Sequence, residues 1–122
     1  MEQKPRFRVL YSEEAMTFLN AMPMKAKTKM LYNIGKSMYR IDREVFKKLT
    51  NSDISEFRTL YDGVAYRLFA FWDVDGETLV IATHGIVKKK RKTPAKEIER
   101  AEKIMKEYFK NKRYGKDEII YT

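Results

Sequence analysis

Between Ile54 and Pro94 the chain reads ISEFRTLYDGVAYRLFAFWDVDGETLVIATHGIVKKKRKTP, and two Asp-Gly pairs within it constrain the fold most tightly. These are Asp62-Gly63 and Asp75-Gly76. Asp-Gly suits a two-residue type I′ hairpin loop, because both central residues of that turn need positive φ. On either side of the pairs Phe, Tyr, Val, Ile and Leu recur with period two, the pattern of half-buried strands. The stretch is therefore predicted to form three antiparallel strands, followed by the basic run Lys88–Lys92 and a helix.

If both pairs form two-residue loops, the register follows. The first hairpin sets Tyr61 opposite Val64 and Arg58 opposite Arg67; the second sets Trp72 opposite Leu79 and Arg67 opposite His84. Arg58, Arg67 and His84 then share one row and one face across three neighbouring strands. Opposed arginines repel, so the row calls for an anion. Two anions fit. One is internal: Glu56, two residues from Arg58 on the same face, making an ordinary ion pair. The other is a phosphate.

The charge of the chain bears on that choice. Its 122 residues carry 26 Lys and Arg against 17 Asp and Glu, a formal net charge of +9. A small domain this basic is expected to meet a polyanion or an acidic partner. The charge is also localised: Lys88, Lys89, Lys90, Arg91 and Lys92 are contiguous, and Lys110, Lys112, Arg113 and Lys116 cluster near the C-terminus. With no cysteine and one histidine, disulfide and thiol chemistry are excluded and a zinc site is not expected. No apolar run approaches a membrane span, and the charged start MEQKPRFRVLY does not read as a signal peptide. A cytoplasmic location fits these features.

The remaining elements are read from pattern. Arg6–Tyr11 is a short strand, and Ser12 caps a helix whose first turn carries Glu13 and Glu14 and which ends near Pro23. A second helix, about Met24–Tyr39, has Ala26, Met30, Leu31, Ile34 and Met38 on its inner face. From Arg40 to Asp53 the pattern weakens, and one helical turn or a loop is expected. Thr93 and Pro94 mark a last helix, with Thr as N-cap, Pro at the first helical position and Glu97 in the first turn. Its buried stripe is Ile98, Ala101, Met105, Tyr108 and Phe109. The tail contains Ile119, Ile120 and Tyr121, which suit an edge strand or a partner-binding segment. The expected fold is α+β in one domain over residues 1–122: an antiparallel sheet with an N-terminal helical hairpin, a C-terminal helix, helices on one side, and a basic tail over 110–122.

Metal-independent RNA cleavage suits these residues. The 2′-hydroxyl attacks its own phosphate, so a site must remove that proton, stabilise charge on the phosphoryl oxygens and protonate the leaving 5′-oxygen. Arg67 and Arg58 offer guanidinium forks that match phosphate. His84 titrates nearest neutrality, and cationic neighbours favour the neutral ring that a base needs. Lys88, four residues on, can hold phosphate or supply a proton. Phe69 and Phe71 share the face of Arg67, so that face is apolar towards one end and cationic at the other.

The stretch from Tyr66-Arg67 through His84-Gly85 and the lysine run to Lys92-Thr93-Pro94, then a charged helix through Met105-Lys106-Glu107-Tyr108, resembles HigB-type toxins of the RelE superfamily, including phage-derived members. The resemblance covers about residues 54–109, and residues 1–50 only in their helical plan. It implies a RelE-like fold, a toxin of a type II toxin–antitoxin system, and an endonuclease that cuts mRNA in the ribosomal A site without a cofactor. It also implies neutralisation by a cognate helix-turn-helix antitoxin of the HigA kind. Carried over residue by residue, Arg67, His84 and Lys88 become catalytic candidates, while Arg58, Lys89, Lys90, Arg91 and Lys92 become RNA-binding candidates. Glu56-Phe57-Arg58 matches a Glu-Leu-Arg segment of relatives, with Ser55 where they carry an aromatic. Some members of the superfamily poison gyrase instead, and a non-catalytic nucleic-acid-binding module would use the same basic face.

Overall fold

The computed structural model describes residues 4–73, 78–88 and 92–113. In chain order the elements are β1 (Arg8–Tyr11), α1 (Glu13–Ala21), α2 (Met24–Ser37), β2 (Phe46–Lys48), β3 (Ile54–Tyr61), β4 (Val64–Trp72), β5 (Leu79–Lys88) and α3 (Ala95–Arg113). The strands form one five-stranded sheet in the order β1-β5-β4-β3-β2. Among the described residues no helix is long and apolar enough to cross a membrane.

Local chemistry explains most boundaries. Ser12 Oγ accepts from the Ala15 backbone N–H at 3.0 Å and caps α1, as its position predicts. Pro23 then separates the two helices, its carbonyl accepting the first α2 bond from Lys27 N–H at 2.9 Å. Arg6 closes the other end of α2, where its guanidinium donates to the Ser37 carbonyl at 2.8 Å, one of the acceptors a helix leaves open. Asp62 and Gly63 have φ of 51° and 74°, the two positive values of a type I′ turn. The hairpin they close has the predicted register, Tyr61 opposite Val64 and Arg58 opposite Arg67.

Alternation along the strands builds two cores. Phe57, Leu68, Ala70, Val80 and Ala82 face α1 and α2, where they meet Leu19, Met30 and Ile34. Ile54, Phe69, Phe71 and Ile81 face the other way, onto Ala101 and Tyr108 of α3. Each such buried Leu or Phe contributes roughly 1.5–3 kcal/mol. The sheet is thus a middle layer, with helices on both faces and not on one side as the pattern suggested.

Three other expectations are corrected. The sheet is mixed, because β1 runs parallel to β5; in sequence the helical hairpin lies between β1 and the other four strands. The weak stretch after α2 contains a strand, β2, paired antiparallel with β3 at the far edge. On α2, Leu31 is 43% exposed while the polar Asn33 and Ser37 turn inward. Asn33 does so because its amide donates to the Arg58 carbonyl and Thr59 Oγ1 of β3, which satisfies it inside.

The second hairpin departs from the predicted register. Trp72 pairs with Val80 and Arg67 with Ile86, with a bulge between Leu68 and Ala70. The pairing is already one residue off on the turn side, at Trp72–Val80, and the bulge, which sets Thr83 and His84 against Phe69, adds a second. The Asp75-Gly76 turn lies outside the described residues, as do Lys89, Lys90, Arg91 and the tail beyond Arg113.

Candidate functional site

The shifted register redraws the row. Arg58 and Arg67 stand opposed as expected, but the third position is Ile86, not His84. Two residues on, Lys88 pairs with Ala65 and rejoins the same face. On the other flank β2 sets Lys47 opposite Glu56. Lys47, Arg58, Arg67 and Lys88 therefore surround one carboxylate at the end of the face that α3 leaves uncovered.

That carboxylate is almost fully buried. Glu56 is 3% exposed and Arg67 8%, and Arg67 Nε lies 3.4 Å from Glu56 Oε2. The internal anion and the cationic row thus coexist. Thr93 Oγ1 donates to Glu56 at 3.4 Å, so the predicted N-cap of α3 serves the carboxylate, while Pro94 offers its carbonyl to Glu97 N–H at 3.0 Å. Arg67 Nη1 donates to the Tyr66 carbonyl at 3.1 Å, and Arg58 Nη1 to the Arg43 carbonyl at 3.5 Å. The buried Nε atoms of both arginines have no hydrogen-bond partner among the described residues.

One carboxylate does not neutralise four cations, and the acidities of Arg67 and Lys88 carry a trace of this beside the larger effect of burial. Burial lowers the pKa of Arg67, Glu56 opposes the shift, and Arg58 adds to it. Lys88 is held below the ordinary lysine value by burial first, against the pull of Glu56, with Arg67, Arg58 and Lys47 adding further lowering. The ammonium is a readier proton donor for it.

His84 belongs to a different group. It is 1% exposed and stacked near Phe69, ring centroids 4.9 Å apart. Its Nε2 lies 3.0 Å from Glu97 Oε1 on α3, and its Nδ1 3.1 Å from Thr83 Oγ1. A carboxylate only accepts, so Nε2 carries the proton, and in the neutral ring Nδ1 accepts from the threonine hydroxyl. Burial lowers its pKa; the Glu97 bond opposes this, and Arg100 adds a smaller lowering. The direction matches the expectation of a neutral ring, but the cause is burial and not the arginine row. Gly85 beside it admits a neighbouring side chain: a Cβ there would sit 2.3 Å from the Phe18 ring of α1.

Lys92 is exposed at the entry to α3, and Lys89–Arg91 fall outside the described residues. Sequence reasoning passed over Lys47, whose strand was unrecognised, and Glu97 and Thr93, read only as helix-start residues. Their one signal was the helix start itself, which requires α3 to begin beside the end of the sheet.

Beside the cluster, along the β3 edge, a cleft of about 520 Å³ is bounded by Arg58 and Arg67, by Lys29 and Asn33 of α2, and by Glu44 and Val45 before β2. Arg58 N–H donates to the Val45 carbonyl at 2.8 Å, which fixes that wall against β3. Concave sites with convergent polar groups are where small ligands bind.

No curated protein and no solved structure matches the chain. The family model described as phage-derived protein Gp49-like (DUF891) matches residues 17–106, which take in the C-terminal part of α1, all of α2, the strands of the cationic row and most of α3. The chain belongs to this Gp49-like family, a family of RelE/HigB-like toxins.

Proposed function

We propose that residues 1–122 are one toxin domain that cleaves mRNA on the ribosome, in the A site, without a metal or cofactor. The observation that carries this reading is the convergence of Lys47, Arg58, Arg67 and Lys88 around buried Glu56. In the reaction the 2′-oxygen bonds to phosphorus and the P–O5′ bond breaks, leaving a 2′,3′-cyclic phosphate, or after hydrolysis a 3′-phosphate, and a 5′-hydroxyl. Arg67 stabilises the added charge on the phosphoryl oxygens, where a preorganised guanidinium counts most. Glu56, the carboxylate beside it, takes the 2′-proton once phosphate competes for the arginine. Lys88, with its depressed pKa, returns a proton to the 5′-oxygen. Arg58, Lys47 and the basic run Lys89–Lys92 hold the RNA backbone.

In this reading His84 is a positioning residue. Bound to Glu97, it seats the start of α3, and with it Thr93 against Glu56. The partner is a cognate helix-turn-helix antitoxin, and the setting is the cytoplasm. The test is ribosome-loaded message cut by the purified chain, wild type against Arg67→Ala, Glu56→Gln and Lys88→Met. Loss of rate with retained RNA binding supports the enzyme. Gradual loss of affinity with steep salt dependence and no cut ends marks a binding module instead. Intact message together with inhibited gyrase would move the toxin to that other target.

A further inference from the structure

The outer side of α2 is apolar where a surface helix is ordinarily polar. Met24, Leu31, Tyr32 and Tyr39 are 83%, 43%, 69% and 46% exposed. With Thr28 and Gly35 between them they recur every three or four residues, which puts them on one outward strip. Tyr39 continues the strip past the last residue of α2, because its N–H and that of Arg40 still bond back to the Lys36 carbonyl, at 3.1 and 3.0 Å. A contiguous exposed strip of large apolar side chains marks an interaction surface.

Gly35 makes the strip a groove. With Tyr32, Lys36, Tyr39 and Arg40 it lines a cleft of about 540 Å³. Glycine inside a helix is unfavourable beside alanine. The fold does not call for it at this position: its φ is not positive, and a Cβ would meet no heavy atom of the described residues within 4 Å. Bare backbone flanked along the helix by two tyrosines does suit the close approach of a second helix, which seats a side chain between them.

Charge decides what covers the groove. α2 has Lys25, Lys27, Lys29 and Lys36 and no acidic residue. Three of these are engaged: Lys27 with Asn20 Oδ1 at 2.7 Å, Lys29 with the Leu60 carbonyl at 2.6 Å and Lys36 with Asp42 at 3.0 Å. Lys25 and Arg40, near the two ends of the strip, have no side-chain partner among the described residues. RNA, charged at every nucleotide, is held by many free cations, whereas two cations on an apolar strip ask for a few carboxylates. A second copy of the chain would set cation against cation. We infer that this groove docks an amphipathic helix of a partner protein, its apolar face over Gly35 between Tyr32 and Tyr39 and its acidic flanks on Lys25 and Arg40. The strip is on the hairpin side of the sheet and the cationic row on the other, so the inference stands apart from the nuclease reading.

The experiment titrates the purified full chain into two labelled synthetic helices, read by fluorescence anisotropy. Each has about 15 residues, enough to span Lys25 to Arg40, with leucine at every third or fourth position. The flanking positions are glutamate in one and lysine in the other. The glutamate helix binds and the lysine helix does not. Gly35→Leu, which fills the floor of the groove, and Tyr32→Ala, which removes a wall, each weaken binding about tenfold or more. Lys25→Glu combined with Arg40→Glu reverses the preference. The substituted positions meet open space or solvent, so the variants fold. Gly35→Ala raises the melting temperature by about 2–8 °C, as it should where the fold has no need of glycine. A glutamate helix that stays unbound, binds no better than the lysine helix or ignores the substitutions overturns the inference, as does a lower melting temperature in Gly35→Ala. Two other occupants overturn it as well: single-stranded RNA whose affinity falls in Gly35→Leu and Tyr32→Ala, or a dimer in sedimentation that the same variants dissociate.

Discussion

Arg67 is held by two opposing demands. Burial disfavours its charge, and Glu56 at 3.4 Å restores it, so the pair is stable only as a pair. Arg67→Ala removes the ion-pair partner of the buried Glu56 carboxylate and leaves only Lys47, Arg58 and Lys88 around it, so it is expected to cost at most about 3–5 kcal/mol in urea unfolding. Arg67→Ala combined with Glu56→Ala costs less than the single change, which a double-mutant cycle reads directly. In cleavage assays both variants lose about 100-fold or more in rate, because the charge-stabilising group is gone from each. His84 gives a pH signature. Its folded pKa lies below its ordinary value of 6.5, so the unfolded chain takes up the proton first as pH falls. The stability it contributes is complete above about 6.5 and is lost on acidification through its lower folded value. Thermal melts of wild type from neutral to mildly acidic pH should fall, and His84→Asn should flatten that slope. An unchanged slope in the variant would remove His84 from the account.

Elements carry these residues into place, and one glycine shows how tightly. Gly85 lets α1 approach β5 because a Cβ there would meet the Phe18 ring at 2.3 Å. Gly85→Ala is expected to destabilise by about 1–3 kcal/mol in denaturant titration, as overpacking does. Phe18→Ala in the same background should relieve part of that cost. The first hairpin was legible in the sequence because Asp62-Gly63 dictates its own turn and thereby pairs Arg58 with Arg67. The second was not. The extra residue of the bulge lies on β5, where Thr83 and His84 oppose Phe69 and Gly85 beside them is the one local signal; its shift adds to the one already present at Trp72–Val80, and together they move His84 out of the row. Lys88 held its place because it lies further along the same strand face. β2 escaped notice because three residues, Phe46–Lys48, are too few to show a period. Contacts between α3 and the sheet, His84 with Glu97 and Thr93 with Glu56, depend on how a helix seats on a strand end. Local pattern does not encode that.

At the scale of the molecule, the two faces of the sheet divide the work. One is wholly occupied by the helical hairpin; the other is apolar under α3 and cationic beyond it. Asp73 anchors the far end of α3, accepting from Tyr108 Oη and Lys112 Nζ at 2.6 Å each, so the helix is pinned near both ends and its start stays beside Glu56. Asp73→Ala should loosen that anchor, lowering the melting temperature and, through Thr93, the cleavage rate. The net charge of +9 adds long-range attraction to RNA, so binding should weaken steeply with salt while the chemical step, measured at saturation, should not. The most direct test of the whole account is to map the ends of ribosome-bound message after incubation with wild type, Arg67→Ala and Glu56→Gln, each shown to be folded. The account predicts ribosome-dependent cuts with 5′-hydroxyl ends from wild type and their loss in both variants. Cuts that persist in both would contradict the Arg67–Glu56 site, and intact message with folded wild type would contradict the nuclease itself.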